Sequence, residues 1–244
     1  MEGNEKFVAA LIVKNFETYA FIVTASRNGI VKKTSLPKFD VERTSKYLSC
    51  MKLKDGDEMV SLCVAYDGDE LILLSRDGYC NKYSVNILSD LAAKAQGVIG
   101  INTKSDELSQ IVADHHDSRE LLISTDKGGF KRIHTDRLEF TSRNTKGYRV
   151  FRQIKSRPHS IVKASMASSY TSLYISDGGQ LKEIAVSEIP FMDLEQSFSS
   201  PADVSENSFY IFKDMSDICD VKIVDLPENY YSNQEESEQT TLFD

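Results

Sequence analysis

The chain alternates short apolar runs with polar turns, and one hairpin pattern occurs four times. In its first copy, apolar residues 21–23 precede Ser26-Arg27-Asn28-Gly29, and a second apolar pair at residues 30–31 follows the turn. Asn-Gly between apolar runs predicts a β-hairpin with positive φ at both central turn residues. The four turn glycines are Gly29, Gly78, Gly128 and Gly179, spaced by 49, 50 and 51 residues. The sequence therefore predicts a repeat array with a period near fifty residues.

Each repeat predicts about four short strands. Around the first hairpin, strand-like runs occupy residues 7–13, 19–25, 48–53, 59–65 and 70–75. In the second and third repeats a further strand-like segment starts nineteen residues after the turn glycine, at Gly97 and Gly147. The fourth repeat lacks this glycine, and residues 209–226 form a degenerate fifth. The predicted fold is all-β and propeller-like, with sheets that stack because one small sheet cannot cover its own faces.

Charge is distributed unevenly along the chain. The whole chain carries a net charge of -8, but residues 195–244 hold twelve acidic and two basic residues, and the first 194 hold 27 basic and 25 acidic. The most basic window, residues 126–157, has ten Lys and Arg against three acidic residues. This segregation suggests a polyanionic partner for one part of the chain. We expect a β domain in residues 1–227 and an acidic, disordered tail in residues 228–244.

The sequence contains no convincing catalytic or metal-binding motif. His115-His116-Asp117 has no third ligand at a recognised spacing, and the four cysteines match no zinc or redox pattern. Phosphate-loop and nucleophile-elbow motifs are absent. We therefore predict no catalytic residue, no metal and no cofactor in this chain. The N-terminus has no signal-like segment and no apolar run could span a membrane, which predicts a cytoplasmic protein without a membrane partner.

Basic residues recur just beyond each turn and in the connection that follows each hairpin. Stacked repeats would place them along one curved edge, where they could bind the phosphate backbone of double-stranded DNA without reading its sequence. The alternative is that these charges protect exposed edge strands from aggregation. The predicted DNA-binding residues are Lys32, Lys33, Arg43, Lys46, Lys82, Lys94, Lys131, Arg132, Arg143, Lys146, Arg149 and Lys182.

Several phrases of the sequence resemble a known family. NGIVKKTSLPKFD, KLKDGDEMVS, DGYCNKYSV, AKAQGVIGIN and GGFKRI are similar to the C-terminal repeats of bacterial type IIA topoisomerase A subunits. The resemblance covers residues 7–190 and implies a β-pinwheel that binds and bends DNA. Gyrase A subunits carry a basic box of the form QRRGGKG, which is absent here, so the chain is more similar to the topoisomerase IV A branch (ParC).

The resemblance also implies a role and partners. The domain would be non-catalytic and nucleoid-associated, and would present the transported DNA segment for decatenation, relaxation and chromosome segregation. The catalytic tyrosine would lie upstream, and ATP and Mg²⁺ would be used through other domains. The partners would be a second copy of the full-length chain, in a homodimer, together with the topoisomerase IV B subunit (ParE). The family's domain often has five or six blades, so one interpretation is that this chain begins inside it.

Two alternatives remain open at this point. One is a gyrase-type domain that wraps DNA, which the missing basic box disfavours. The other is a propeller that binds proteins and does not contact DNA, which the sequence pI of about 5.1 favours.

Overall fold

The computed structural model describes residues 8–13, 15–16, 18–41, 48–117, 119–170, 172–177, 180–200, 211–212 and 221–223. These residues contain strands and short 3-10 turns but no α-helix. In chain order the strands are β1 (Ala10–Ile12), β2 (Phe21–Ser26), β3 (Ile30–Ser35), β4 (Met59–Ala65), β5 (Glu70–Ser75), β6 (Tyr79–Ser84), β7 (Val98–Ile99), β8 (Leu108–Asp114), β9 (Glu120–Thr125), β10 (Phe130–His134), β11 (Tyr148–Arg149), β12 (Ile161–Ala167), β13 (Ser172–Asp177), β14 (Gln180–Ala185), β15 (Ile211–Phe212) and β16 (Val221–Ile223). The 3-10 turns are Leu36–Phe39, Val85–Ile87, Thr135–Arg137 and Val186–Glu188.

Blades 1 to 3 are each extended by a segment from the following repeat. Blade 1 has the order β4-β2-β3-β7, and β7 comes from the connection after the second hairpin. Blade 2 has the order β11-β6-β5-β8, and its outer strand β11 comes from the connection after the third hairpin. Blade 3, of order β10-β9-β12, is joined in the same way by an isolated bridge between Phe130 and Ser199. Consecutive repeats are therefore interlocked through their backbones, and not only stacked.

The fourth blade and the chain ends complete the described strands. Blade 4 has the order β14-β13-β15. Strand β1 pairs in parallel with β16, so a segment near the N-terminus lies beside one from the degenerate fifth repeat. The predicted tail, residues 228–244, lies outside the described residues.

The cores lie between neighbouring sheets. Alternate residues of β5 face opposite ways: Leu71 and Leu73 pack toward blade 1, whereas Ile72 and Leu74 pack toward blade 3. A third apolar cluster lies between blades 3 and 4 and includes Phe130. All five side chains are essentially inaccessible to solvent. The prediction of an all-β array with stacked sheets is confirmed, because each sheet buries its faces against its neighbours.

The hairpin turns differ from the predicted type. The amide of Gly29 donates to the Ser26 carbonyl at 3.0 Å, and only Gly29 has a positive φ, of 80°. Arg27 and Asn28 keep negative φ values, so the loop is a type I turn followed by a glycine in the left-handed region. The prediction of positive φ at both central residues was therefore wrong.

One predicted strand is absent. Residues 48–53 contain no strand, although residues 59–65 and 70–75 form β4 and β5 with the predicted bounds. By position after the turn glycine, Leu48 corresponds to Gly97 and Gly147, which open the strands donated to the preceding blade. Within the described residues no hairpin precedes β2, so the segment at residue 48 has no outer strand to pair with.

Candidate nucleic-acid interface

The cation three residues beyond the turn glycine points into the protein. The ammonium of Lys32 donates to the carbonyls of Ala92 and Ala93 at 3.1 and 2.7 Å. The ammonium of Lys131 donates to three carbonyls, of Asp193, Leu194 and Gln196, at 2.7–3.1 Å. Both residues are essentially inaccessible, and burial lowers the pKa of each, that of Lys131 to about 8. These lysines thus hydrogen-bond to backbone carbonyls of the next connection, which gives each buried ammonium internal acceptors.

The cation four residues beyond the glycine is also internal. Lys82 lies 2.8 Å from the Glu70 carboxylate and donates to the Thr135 carbonyl at 2.8 Å. Arg132 pairs with Glu120 at 3.4 Å and stacks on Phe191, with its guanidinium carbon 4.0 Å from the ring centroid. Lys33, which is 6% exposed, lies over the ring of Phe21 at 4.6 Å.

Five of the twelve predicted residues are therefore buried at contacts within and between repeats and do not line an exposed edge: Lys32, Lys33, Lys82, Lys131 and Arg132. A buried charge needs internal partners, and these five have them. Edge protection does not describe Lys32, Lys33 and Lys82 either, because β3 and β6 are paired on both sides.

The remaining predicted residues have different surroundings. Lys94 is exposed on the turn whose carbonyls bind Lys32, and Lys182 is half-buried on β14. Arg43 and Lys46 lie outside the described residues. Only Arg143, Lys146 and Arg149 are brought together, on the connection of the third repeat.

This connection runs along the outer edge of blade 2. Lys146 Nζ lies 3.8 Å from the centroid of the Tyr79 ring, and the guanidinium carbon of Arg149 lies 4.6 Å from it. Arg149 also donates to the Asp77 carbonyl at 3.0 Å, and Arg143 donates to the Ile99 carbonyl at 2.9 Å. We call Tyr79, Arg143, Lys146 and Arg149 the basic junction.

The electrostatics of the basic junction favour an anion. Arg143 and Arg149 are exposed and Lys146 is half-exposed, and none of the three forms an ion pair within the part of the chain that the structure describes. Hydrogen bonding from Lys146, and then from Arg149, lowers the pKa of the Tyr79 phenol. The uncompensated cations can therefore attract a negatively charged partner.

A glycine sets the distance between this connection and blade 2. Gly147 has a φ of 73°, and a Cβ placed on it would overlap the Cys80 carbonyl oxygen and lie 2.7 Å from the carbonyl carbon. Gly97 approaches Val31 in the same way at the preceding junction. At the next one the glycine is on the opposite strand, because Gly129 faces Phe198. Each junction thus has one residue without a side chain, which lets two backbones approach closely.

Among the three junctions that the structure describes, the basic junction occurs once. At the junction of blade 1 its four positions are occupied by Ile30, Ala93, Gln96 and Ile99, and at the junction of blade 3 by Gly129, Leu194, Ser197 and Ser200. The basic window of the sequence indicated the cations but not Tyr79. The signal for Tyr79 is its place directly after a turn glycine, where no other repeat with a described junction has a tyrosine.

One cluster has donor types that metals use. Ligand atoms of Glu70, Asp114 and His116 lie within 4.8 Å of one another. The carboxylate of Asp114 accepts hydrogen bonds from the Thr135 hydroxyl and the His116 amide, and Glu70 is paired with Lys82. These internal partners account for the cluster.

No helix in the described residues is long and apolar enough to cross a membrane.

Comparisons with solved structures support the fold. The crystal structure of the C-terminal domain of DNA topoisomerase IV matches with a TM-score of 0.75 and 23% identity, over 92% of this chain and 69% of that one. The DNA gyrase A C-terminal domain matches with a TM-score of 0.70 and 16% identity, over 80% and 66%. The E. coli ParC C-terminal domain matches with a TM-score of 0.62 and 12% identity, over 80% and 81%.

Comparisons of sequence identify the family. The A subunit of DNA topoisomerase 4 from Staphylococcus epidermidis (strain ATCC 12228 / FDA PCI 1200) is 31% identical over 195 residues, which are 77% of this chain and 24% of that protein. Its counterpart from Staphylococcus aureus (strain MSSA476) is 30% identical over 175 residues, which are 71% and 22%. The chain thus spans about a quarter of the length of these relatives. The family described as DNA gyrase C-terminal domain, beta-propeller, matches residues 20–62, 69–110 and 119–168, and this chain belongs to that family.

Proposed function

We propose that this chain binds duplex DNA without sequence specificity, through the basic junction, as the non-catalytic C-terminal part of a topoisomerase IV A subunit. The observation that carries the proposal is the exposure of Arg143, Lys146 and Arg149 without an acidic partner among the described residues. The names of the similar proteins support the choice of DNA as the polyanion. Phosphate contacts would supply most of the affinity, because lysine and arginine neutralise phosphates irrespective of the base sequence.

The proposed role of this chain is to bend the bound duplex. A duplex bound at the basic junction would bend to reach further cations, and exposed Lys94 lies on the neighbouring connection. Bending a site of 20–30 base pairs by 40–90° costs about 1–6 kcal/mol, which a few additional phosphate contacts can offset. The bent duplex would be presented to the rest of the enzyme as the transported segment, for decatenation and relaxation.

The proposal assigns no chemical step to this chain. In this proposal another domain of the same polypeptide cleaves DNA. Other domains and the B subunit (ParE) use ATP and Mg²⁺. The full-length protein would function as a homodimer. The site of action would be the nucleoid.

The test is energy transfer between dyes at the two ends of a 30-bp duplex. Binding of the chain should raise the transfer efficiency, and the variant Arg143→Gln/Lys146→Gln/Arg149→Gln should neither bind nor bend at the same concentration. Binding with unchanged end-to-end distance would refute the bending step alone. If the variant still binds and bends the duplex, the assignment of DNA binding to the basic junction is refuted.

The effect on DNA topology distinguishes a gyrase-type wrapping domain from the proposed bending domain. Wrapping would trap a chiral supercoil in relaxed circular DNA once a topoisomerase removes the compensating twist. The proposal predicts no such change in linking number, since the sequence lacks the QRRGGKG box.

A protein-binding role is favoured by one specific observation. At the junction of blade 1, Val98 and Ile99 are 38% and 42% exposed, where blade 2 presents cations. An apolar surface at this point would suit a protein partner. Absence of duplex binding by the unmodified chain at low salt would favour this candidate.

A further inference from the structure

Tyr79 occupies a distinctive position in the basic junction. Its ring is half-buried at the start of β6, and the two nearest cations, those of Lys146 and Arg149, lie 3.8 and 4.6 Å from the ring centroid. The same two cations lower the pKa of the Tyr79 phenol. A hydroxyl donor, an ammonium and a guanidinium therefore converge on one small area of surface.

We propose that Tyr79, Lys146 and Arg149 form a subsite for one phosphate group of a nucleic-acid backbone. The inference rests on the proposed function for the identity of the ligand, and it adds Tyr79 as a phosphate-binding residue. The ammonium acts as a point charge, the guanidinium can donate two parallel hydrogen bonds, and the phenol donates one.

The geometry leaves donors free for the phosphate. Arg149 uses one N–H group on the Asp77 carbonyl, which fixes the guanidinium at the hairpin tip and leaves its other donors available. The Lys146 ammonium forms no ion pair within the described residues; it lies over the Tyr79 ring and lowers the pKa of the phenol. The ring holds both long side chains near their bound positions, which reduces the conformational entropy lost when the phosphate binds.

Acidic groups around the subsite are few and are turned to other partners. The carboxylate of Asp106 accepts hydrogen bonds from the Asp77 and Glu107 amides, and Glu107 pairs with Arg76. Tyr148, which follows Gly147, donates its hydroxyl to the Glu139 carbonyl. Asp77 itself lies at the exposed hairpin tip, and Arg149 donates to its backbone carbonyl.

The first test follows the ring resonances of Tyr79 in the full chain, assigned with Tyr79→Phe. One titration uses a 20-bp duplex, and another uses inorganic pyrophosphate. Both ligands should shift the Tyr79 signals, and Lys146→Gln should suppress both responses. Tyr79→Phe should weaken duplex binding about two- to tenfold, as expected for one hydrogen bond, without changing the salt dependence.

The outcomes separate this inference from the proposed function. If the duplex binds and moves other resonances but leaves Tyr79 unmoved, the subsite is refuted and DNA binding stands. If pyrophosphate moves Tyr79 but the duplex does not bind, the phosphate subsite stands and the DNA proposal fails. If neither ligand moves Tyr79 and no binding occurs, both are refuted.

A second test transplants the subsite to the junction of blade 1. Ile30, Gln96 and Ile99 occupy the equivalent positions, and Ile99 is 42% exposed, so longer side chains have room there. The variant Ile30→Tyr/Gln96→Lys/Ile99→Arg should bind the duplex more tightly, with a salt slope steeper by about 0.9 for one further neutralised phosphate. A variant with only Gln96→Lys/Ile99→Arg is the control for charge. Equal affinity of the two variants would contradict a role for the tyrosine.

Discussion

Replacing Gly147 with alanine tests whether the close approach of two backbones holds the basic junction in place. Gly147 directly precedes β11, which pairs with β6 through Tyr148–Cys80 and Arg149–Tyr79. A Cβ at this position would overlap the Cys80 carbonyl group. Strand β11 must then move away from β6, and the side chains of Lys146 and Arg149 must move with it.

Two separate costs contribute to the loss of stability expected for Gly147→Ala. A φ of 73° costs a residue with a Cβ about 1–2 kcal/mol. The steric overlap adds about 1–3 kcal/mol, as for overpacking in a core. Gly147→Ala should therefore lower the free energy of unfolding by about 2–5 kcal/mol.

The chain offers a control for each cost. Gly56 has a φ of 77° with no atom within 4 Å of the added Cβ, so Gly56→Ala measures backbone strain alone, at about 1–2 kcal/mol. Gly97 is not in the left-handed region, but its Cβ would lie 2.8 Å from the Val31 carbonyl carbon, so Gly97→Ala measures the overlap alone, at about 1–3 kcal/mol.

Urea denaturation of the three variants is the assay. We expect Gly147→Ala to be the least stable and to bind duplex DNA more weakly than Gly56→Ala under conditions where both are folded. Equal stability of Gly147→Ala and Gly56→Ala would refute the claim that contact between β11 and β6 requires glycine.

Three further predictions concern other parts of the chain. Lys131→Met should lower the free energy of unfolding by about 1–3 kcal/mol, because the three hydrogen bonds of the ammonium to carbonyls are lost, whereas Lys155→Met at an exposed position should leave it unchanged in urea denaturation. The Asp69 carboxylate raises the pKa of His115, with smaller contributions from Asp117 and Asp114, so this pair stabilises the fold below the unfolded pKa near 6.5 and the gain is lost as pH rises through the folded pKa. His115→Asn should therefore be destabilising at pH 5.5 and nearly neutral at pH 9, and an equal effect at both values would contradict this. Deleting residues 228–244, which hold five acidic and no basic residues, should tighten duplex binding at low salt, as should replacing those five residues by amides, and unchanged affinity would refute competition by the tail.

The repeat and its strands could be predicted from the sequence because their signals are local. The turn glycines and the apolar runs at residues 59–65 and 70–75 lie within a few residues of the structure that they determine. The exchange of β7 and β11 between repeats could not be predicted in this way. Tyr148 pairs with Cys80, 68 residues earlier, and no local pattern specifies that partner.

Local sequence patterns also could not predict that the repeated cations are buried. The sequence shows that a strand residue is a lysine, but it does not show which carbonyls surround that lysine in the folded protein. Lys131 lies among carbonyls more than sixty residues later in the chain, and only the fold shows that its charge is used internally. The surface cations could be predicted because Arg143, Lys146 and Arg149 lie within one basic window of sequence and on one connection.

The central claim is that the phosphate contacts centre on the basic junction and are not shared equally by cations repeated in every blade. The most direct test is the dependence of the duplex binding constant on salt concentration for the unmodified chain, for Arg143→Gln/Lys146→Gln/Arg149→Gln, and for a control with the same change in charge, Lys52→Gln/Lys54→Gln/Lys104→Gln. All six side chains belong to exposed or half-exposed residues. We predict that the slope of log K against log salt becomes shallower by about 0.9 for each phosphate that the junction variant no longer neutralises, and stays unchanged in the control. An unchanged slope in the junction variant, or an equal decrease in the control, would contradict the claim.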